Sequence, residues 1–205
     1  MDKMIKLENI NVKFKEKIVF NDFNLDIAKA EKIVITGNSG VGKSTLFNLF
    51  LGFIKADIGD IYINNLSVNS QNIDKIRKQI SYIPQNVNIP FNKAKDLFNA
   101  QFLYSKINLP NIEKIKEIFK DFNLKHTILE HQVSSLSGGE KQRILLISSI
   151  LTNKKLLLWD EPTSALDLKN KEILLKYVKN MENITILSIS HDDFWINNAT
   201  RVVKL

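Results

Sequence analysis

Residues 37–45 read Gly37-Asn38-Ser39-Gly40-Val41-Gly42-Lys43-Ser44-Thr45. The order fits G-x-x-x-x-G-K-[ST], a loop that wraps phosphate groups. Its flanks constrain the fold further. The run Lys32-Ile33-Val34-Ile35-Thr36 is short, β-branched and apolar, so it predicts a buried strand. The run from Leu46 to Leu51 predicts a helix, taken over 43–53. Strand, glycine loop and helix together are the setting this motif needs, and they open an α/β unit. The glycines let backbone N–H groups turn inward toward anionic oxygens. The new helix adds the positive end of its dipole. Lys43 can neutralise β- and γ-phosphate charge, and Ser44 can place its hydroxyl on Mg²⁺. A plain glycine-rich turn with a stray lysine is the alternative, and both flanks argue against it.

Elsewhere the periodicity changes twice. Ile5 to Phe14 and Ile18 to Ile27 alternate apolar and polar residues, predicting two strands, antiparallel, joined by Lys15-Glu16-Lys17. Asp60–Ile63 and Ile80–Ile83 are further short strands, and Asn64-Asn65 suits a tight left-handed turn. From about residue 89 the pattern becomes helical. Lys93–Ser105 predicts one helix, and Ile112, Ile115, Ile118, Phe119 and Phe122 a second, with Asn111 as N-cap. The α/β pattern then resumes. Leu156–Asp160 and Ile184–Ser190 predict buried strands, Leu168–Met181 a helix, Asp192–Asn198 a short helix, and Arg201–Leu205 a last strand. Strands alternating with helices imply a mainly parallel sheet covered on both faces. The expected organisation is one domain, 1–205. Within it, 1–88 and 152–205 form an α/β core with an N-terminal antiparallel β part, and 89–151 form an inserted α-helical subdomain.

Composition removes several classes of function. The 205 residues include no cysteine, which excludes disulfides, thiol catalysis and cysteine–zinc sites. No apolar run of about 18 residues predicts a transmembrane helix, and no apolar leader follows Met1. The expected location is the cytoplasm. A net charge of +7 permits an anionic partner. The lysines are spread along the chain, however, which favours a solvated surface. His126 and His131 have no ligand-type spacing and are expected at the surface.

Two further constellations narrow the chemistry. Leu156–Glu161 is an apolar strand ending in Asp160 and Glu161, at the sheet edge where α/β proteins bind ligands. Asp160 can accept from a Mg²⁺-bound water. Glu161 can serve as general base toward the attacking water. Alone, the pair could equally be a strand-ending cap; the phosphate loop upstream argues for chemistry. Leu136-Ser137-Gly138-Gly139-Glu140 opens a long helix through Lys141-Gln142-Arg143. Ser137 with Glu140 three residues later is a capping box. A capping box has no need of two glycines, which weaken helices; close approach to an anion explains them better.

With these residues in view, the whole chain resembles the ATP-binding-cassette (ABC) ATPases. Gly37–Thr45 is similar to the family's Walker A motif, Leu156–Glu161 to its Walker B motif and Leu136–Glu140 to its signature. Gln85, after Tyr82-Ile83-Pro84, resembles the Q-loop, and Ser164-Ala165-Leu166-Asp167 the D-loop. His191, in Ser190-His191-Asp192, resembles the switch histidine. Phe14 lies where the family sets an aromatic against adenine, although a core position on its strand is the competing reading. The resemblance implies a P-loop NTPase (RecA-like) core and hydrolysis of ATP. Glu161, His191, Gln85 and Lys43 would be catalytic, and Ser44, Gln85 and Asp160 would hold Mg²⁺. It also implies a head-to-tail dimer, of two copies or with a second cassette. In it the signature of one chain would close over the nucleotide of the other.

Two departures from the family pattern stand out. Glu140 replaces the commoner glutamine and brings negative charge toward the partner's nucleotide. Ala30 replaces the usual glycine before Glu31, so that turn is expected to avoid a glycine-only conformation. The function implied is that of an ATPase subunit driving transport through a separate integral-membrane permease, from the cytoplasmic face, with no nucleic acid bound. The alternative is a soluble ABC ATPase acting on nucleic acid, ribosomes or iron–sulfur assembly. Phe91, Phe98, Phe102 and Tyr104, just after Gln85, are either a groove for a permease helix or an internal core stripe.

Overall fold

The computed structural model describes residues 2–86, 89–105 and 112–205, with the side chains of 101, 103–105 and 112 outside that description. Two long strands come first, β1 (Lys3–Phe14) and β2 (Lys17–Ala28), paired antiparallel. Strand β3 (Lys32–Thr36) leads into helix α1 (Lys43–Phe50). The helix ends earlier than its apolar run suggests. Gly52, at φ +65°, donates to Leu49 O at 3.1 Å, and Phe53 N donates to Asn48 O at 2.9 Å. That pair of bonds is a Schellman stop, which needs a left-handed residue.

Strands β4 (Ile58–Ile63) and β5 (Leu66–Ser67) form a hairpin across Asn64 and Asn65, both at positive φ (47° and 64°), as a type I′ turn requires. A short helix α2 (Ile73–Arg77) and strand β6 (Ile80–Ile83) follow. Neither β5 nor α2 carries a periodic signal long enough to read in the sequence. The helical stretch contains α3 (Ala94–Ser105), α4 (Ile112–Asp121), two short 3₁₀ turns and α5 (Gly138–Leu151). Strand β7 (Leu156–Asp160), helix α6 (Leu168–Lys179), strand β8 (Thr185–Ile189), helix α7 (Asp193–Asn197) and strand β9 (Arg201–Lys204) complete the chain.

The strands form two sheets. One is antiparallel, in the order β2-β1-β4-β5; the other runs β6-β7-β8-β3-β9, with every pair parallel. The parallel strands separate two cores by simple alternation. Ile33, Ile35, Leu156, Leu158, Leu187 and Ile189 face α1 and the antiparallel sheet. Val34, Leu157, Trp159 and Ile186 face the helices on the other side. This burial on both faces explains why the β7 and β8 sequences are mostly apolar and do not alternate.

Phe98 and Phe102, 3% and 2% exposed, belong to that second core, with Phe98 packed 5.8 Å from Phe119 between ring centroids. They are therefore not the walls of an open groove. Phe91 is partly buried against the same core, while the Tyr104 side chain and the Asn111 cap lie outside the described residues. A buried polar junction ties the elements together. Ser149 Oγ, on α5, accepts from Ser81 Oγ on β6 (2.8 Å) and from Trp159 Nε1 on β7 (2.9 Å).

Candidate nucleotide site

The parallel sheet decides where the functional residues meet. Strands β6, β7, β8 and β3 lie side by side with their carboxyl ends on one edge. Each strand releases one motif there: Gln85 beyond β6, Asp160 and Glu161 at the end of β7, His191 beyond β8, and Gly37–Gly42 beyond β3. This edge is where open α/β sheets take ligands.

The loop after β3 is tightly built. Gly37, Gly40 and Gly42 have φ of 145°, 76° and 118°. A Cβ on Gly37 would come within 2.8 Å of Leu205 O, and one on Gly42 within 2.6 Å of Val19 Cγ1. Gly42 is the N-cap of α1 and offers no capping side chain, so the first-turn N–H groups remain available to an anion. Lys43 Nζ donates to Gly37 O (2.6 Å) and Asn38 O (3.0 Å), holding its ammonium over the loop. Asn38, Ser39 and Ser44 are exposed, whereas Val41 and Thr45 are partly buried. Lys17 Nζ reaches the loop from the β1–β2 turn and donates to Gly40 O at 2.8 Å. Phe14 is the strand partner of Lys17 and is 47% exposed, so it is not a core residue.

Asp160 is 5% exposed. Burial, reinforced by the Glu161 carboxylate and opposed by Lys43, pushes its pKa up to about 6. A buried carboxylate beside a second one is a site that favours a cation. Glu161 leaves β7 at φ +53° while its N–H still donates to Ile189 O at 2.8 Å. That left-handed residue is a strained one at the carboxyl end of a strand. Its Oε1 lies 3.9 Å from His191 Nε2, and its Oε2 accepts from Ser190 Oγ at 3.4 Å. Among the described residues no group of three or more His, Cys, Asp or Glu could hold a metal. The oxygens present fit Mg²⁺, which takes one or two protein ligands and completes its shell with phosphate and water.

The signature lies against the D-loop. Ser137 caps α5, with its hydroxyl accepting from Glu140 N (3.2 Å) and its own N–H donating to Glu140 Oε2 (2.8 Å). Those bonds hold the Glu140 carboxyl below its ordinary range, and the carboxylate turns back onto its own helix. A Cβ on Gly139 would stand 3.0 Å from Ala165 O, while one on Gly138 would meet nothing within 4 Å. Leu136 and Leu166 are buried, Ser164 is exposed, and Asp167 caps α6 by accepting from Asn170 N at 2.8 Å. Asp192 caps α7, accepting from Phe194 N at 3.0 Å, and pairs with Lys171.

Ala30 adopts φ +66°, a left-handed backbone that alanine enters at a cost, so the turn does without glycine. The turn is held by Ala30 N donating to Thr185 Oγ1 (2.9 Å) and by Lys32 Nζ donating to Ala30 O (2.9 Å). Two residues whose roles the sequence does not reveal, Gln142 and Ser190, also enter the site. Gln142 Nε2 donates to Pro162 O at 3.1 Å, tying α5 to the segment after Glu161. Ser190 was legible only as the polar end of an apolar strand.

Fold and edge together define a phosphate-loop ATPase. A family model described as ABC transporter matches residues 20–164. The molybdate/tungstate import ATP-binding protein of Methanocaldococcus jannaschii is 36% identical over 92% of this chain and 63% of its own length. The ergothioneine transport ATP-binding protein of Helicobacter pylori is 33% identical over 94% and 92%. A solved post-hydrolysis dimer of an ATP-binding cassette, bound to ADP and phosphate, superposes with a TM-score of 0.83 at 28% identity, covering 98% of this chain and 94% of that one. The chain belongs to the ABC transporter family, whose ATP-binding subunits hydrolyse ATP to power transport. Among the described residues no helix is long and apolar enough to cross a membrane. The relatives described give no support to the nucleic-acid, ribosome or iron–sulfur alternative.

Proposed function

We propose that this chain is the nucleotide-binding subunit of a membrane transporter, driving a separate permease from the cytoplasmic face of the membrane. The observation that carries this reading is the single row of motifs along one sheet edge. It sets the phosphate loop, two carboxylates and a histidine side by side. Transporter relatives that match nearly the whole chain support it.

In this reading the triphosphate seats on the amides of Gly37–Thr45, with Phe14 against the base. Lys43 exchanges its two loop carbonyls for β- and γ-oxygens. Ser44, Asp160 and Gln85 would hold Mg²⁺, which when bound neutralises charge across the β- and γ-phosphates. Glu161 orients the attacking water and takes its proton as the water oxygen bonds to the γ-phosphorus and the bond to the ADP oxygen breaks. His191 contacts the γ-phosphate. Ser137, Gly138 and Gly139 of a partner copy, or of a second cassette, close the other side. Ser164–Asp167 lie at that junction. A helix end aimed at the γ-phosphate binds ATP better than ADP, and this differential affinity turns hydrolysis into movement. We read 89–151 as the helical subdomain that passes the movement on, and 1–88 with 152–205 as the core.

The test is isolation from detergent extracts of cells expressing the tagged chain. A multi-span membrane protein should co-purify, and its presence should raise or couple the ATPase rate. Recovery of an active ATPase without any membrane protein, across detergents, would overturn the permease assignment.

A further inference from the structure

Ser190 stands at the end of β8 and is 0% exposed. Its backbone N–H donates to Ile35 O at 3.3 Å, on the strand that feeds the phosphate loop. Its hydroxyl donates to Glu161 Oε2 at 3.4 Å and accepts from Asp192 N at 3.2 Å. One buried side chain therefore touches both the Glu161 carboxylate and the turn that carries His191.

A serine two residues earlier shows that this is not a general feature of the strand. Ser188 accepts from Trp195 Nε1 (2.8 Å) and donates to Ile33 O (3.2 Å), so both of its partners are structural. A buried hydroxyl must find partners to offset its lost hydration. Ser190 finds them in the catalytic row. Glu161 stands just past β7 with a left-handed backbone, at φ +53°. With Oε2 held by Ser190, Oε1 is the oxygen that lies toward His191, 3.9 Å away.

We propose that Ser190 is a positioning residue for hydrolysis, fixing which oxygen of Glu161 stays free to take the proton of the attacking water. The proposal rests on Glu161 being the general base. The 3.4 Å bond is long, as catalytic hydrogen bonds often are before substrate closes the site.

The experiment compares Ser190→Ala, Ser190→Thr and Glu161→Gln, with the Ser190→Ala/Glu161→Gln double variant, in the full chain. Ser190→Ala should lower kcat about tenfold, the scale of a hydrogen bond to a charged group, with the Kd for MgATP unchanged by calorimetry. Ser190→Thr keeps the donor and should retain at least half of the turnover. In the Glu161→Gln background, Ser190→Ala should slow the residual rate no further. A Ser190→Ala chain with full turnover would remove this proposal alone, as would one that slows the Glu161→Gln background just as strongly. Normal turnover by Glu161→Gln would instead remove the base assignment beneath it.

Discussion

The chain places glycines at the start of two helices, and the two sets answer to different demands. Before α1, Gly37, Gly40 and Gly42 all have positive φ, and a methyl group on Gly37 or Gly42 would collide with Leu205 O or Val19. These glycines are required by the chain's own fold. At the start of α5, Gly138 would have empty space around an added Cβ, Gly139 alone would stand close to Ala165 O at 3.0 Å, and neither has a positive φ. Nothing within this chain asks Gly138 to be glycine, and alanine would favour the helix more. In the proposed function the first loop serves as a complete phosphate cradle, and the second as half of a contact whose other half comes from a partner. Ala30 is the converse case, with left-handed backbone and no glycine to ease it.

The largest test concerns the chemistry that only the first loop can reach. Glu161→Gln is expected to reduce phosphate release by ~10²–10⁴-fold, the usual worth of a general base, while leaving MgATP binding intact. Light scattering should then show a dimer that persists with ATP. Lys43→Ala is expected to weaken MgATP by about 10- to 100-fold, the scale of one lost charge-assisted contact, by calorimetry. Unchanged affinity would show that the cradle does not depend on its ammonium.

The glycine comparison can be broken directly. Gly42→Ala should lower the melting temperature and weaken nucleotide binding by the monomer, because its φ of 118° and the nearby Val19 leave no room. Gly138→Ala should fold as stably as the parent, with unchanged monomer affinity, yet fail to dimerise with ATP. If Gly138→Ala dimerises normally, the half-contact reading is wrong.

Asp160 probes what the complete site costs the free fold. Its folded pKa of about 6 exceeds the ordinary 3.8, so between those values the folded chain binds the proton more tightly. Its contribution to stability therefore falls as pH rises from about 4 to 6 and stays low above that. A shift of about 2 units corresponds to about 3 kcal/mol. Asp160→Asn should stabilise the free chain by up to that amount at pH 8 and little at pH 3.5, read by urea denaturation, while abolishing turnover. The smallest effect is expected of Ala30→Gly, which relieves a left-handed alanine and should stabilise by about 1 kcal/mol.

Much of the fold was legible because the parallel strands are buried on both faces and the site follows the strand ends. Leu156–Asp160 and Ile184–Ser190 are mostly apolar with no polar alternation, and each is followed at once by a functional side chain. The short pieces β5 and α2 were not legible, since two and five residues hold too little of any period. The choice between core and groove for Phe98 and Phe102 was equally closed to the sequence. Helical spacing marks an apolar face without saying what covers it.

Local pattern by itself settled the phosphate loop, the capping box at Ser137 and Glu140, and the alternation that assigns residues to sheet faces. These depend on neighbours within a few positions along the chain. Only the tertiary structure decided that Glu161 would lie 3.9 Å from His191 and that Ser190 would hold its other oxygen. Both are distances between separate strands. They exist only once hydrogen-bond register has set β7 beside β8, which no spacing along the chain encodes.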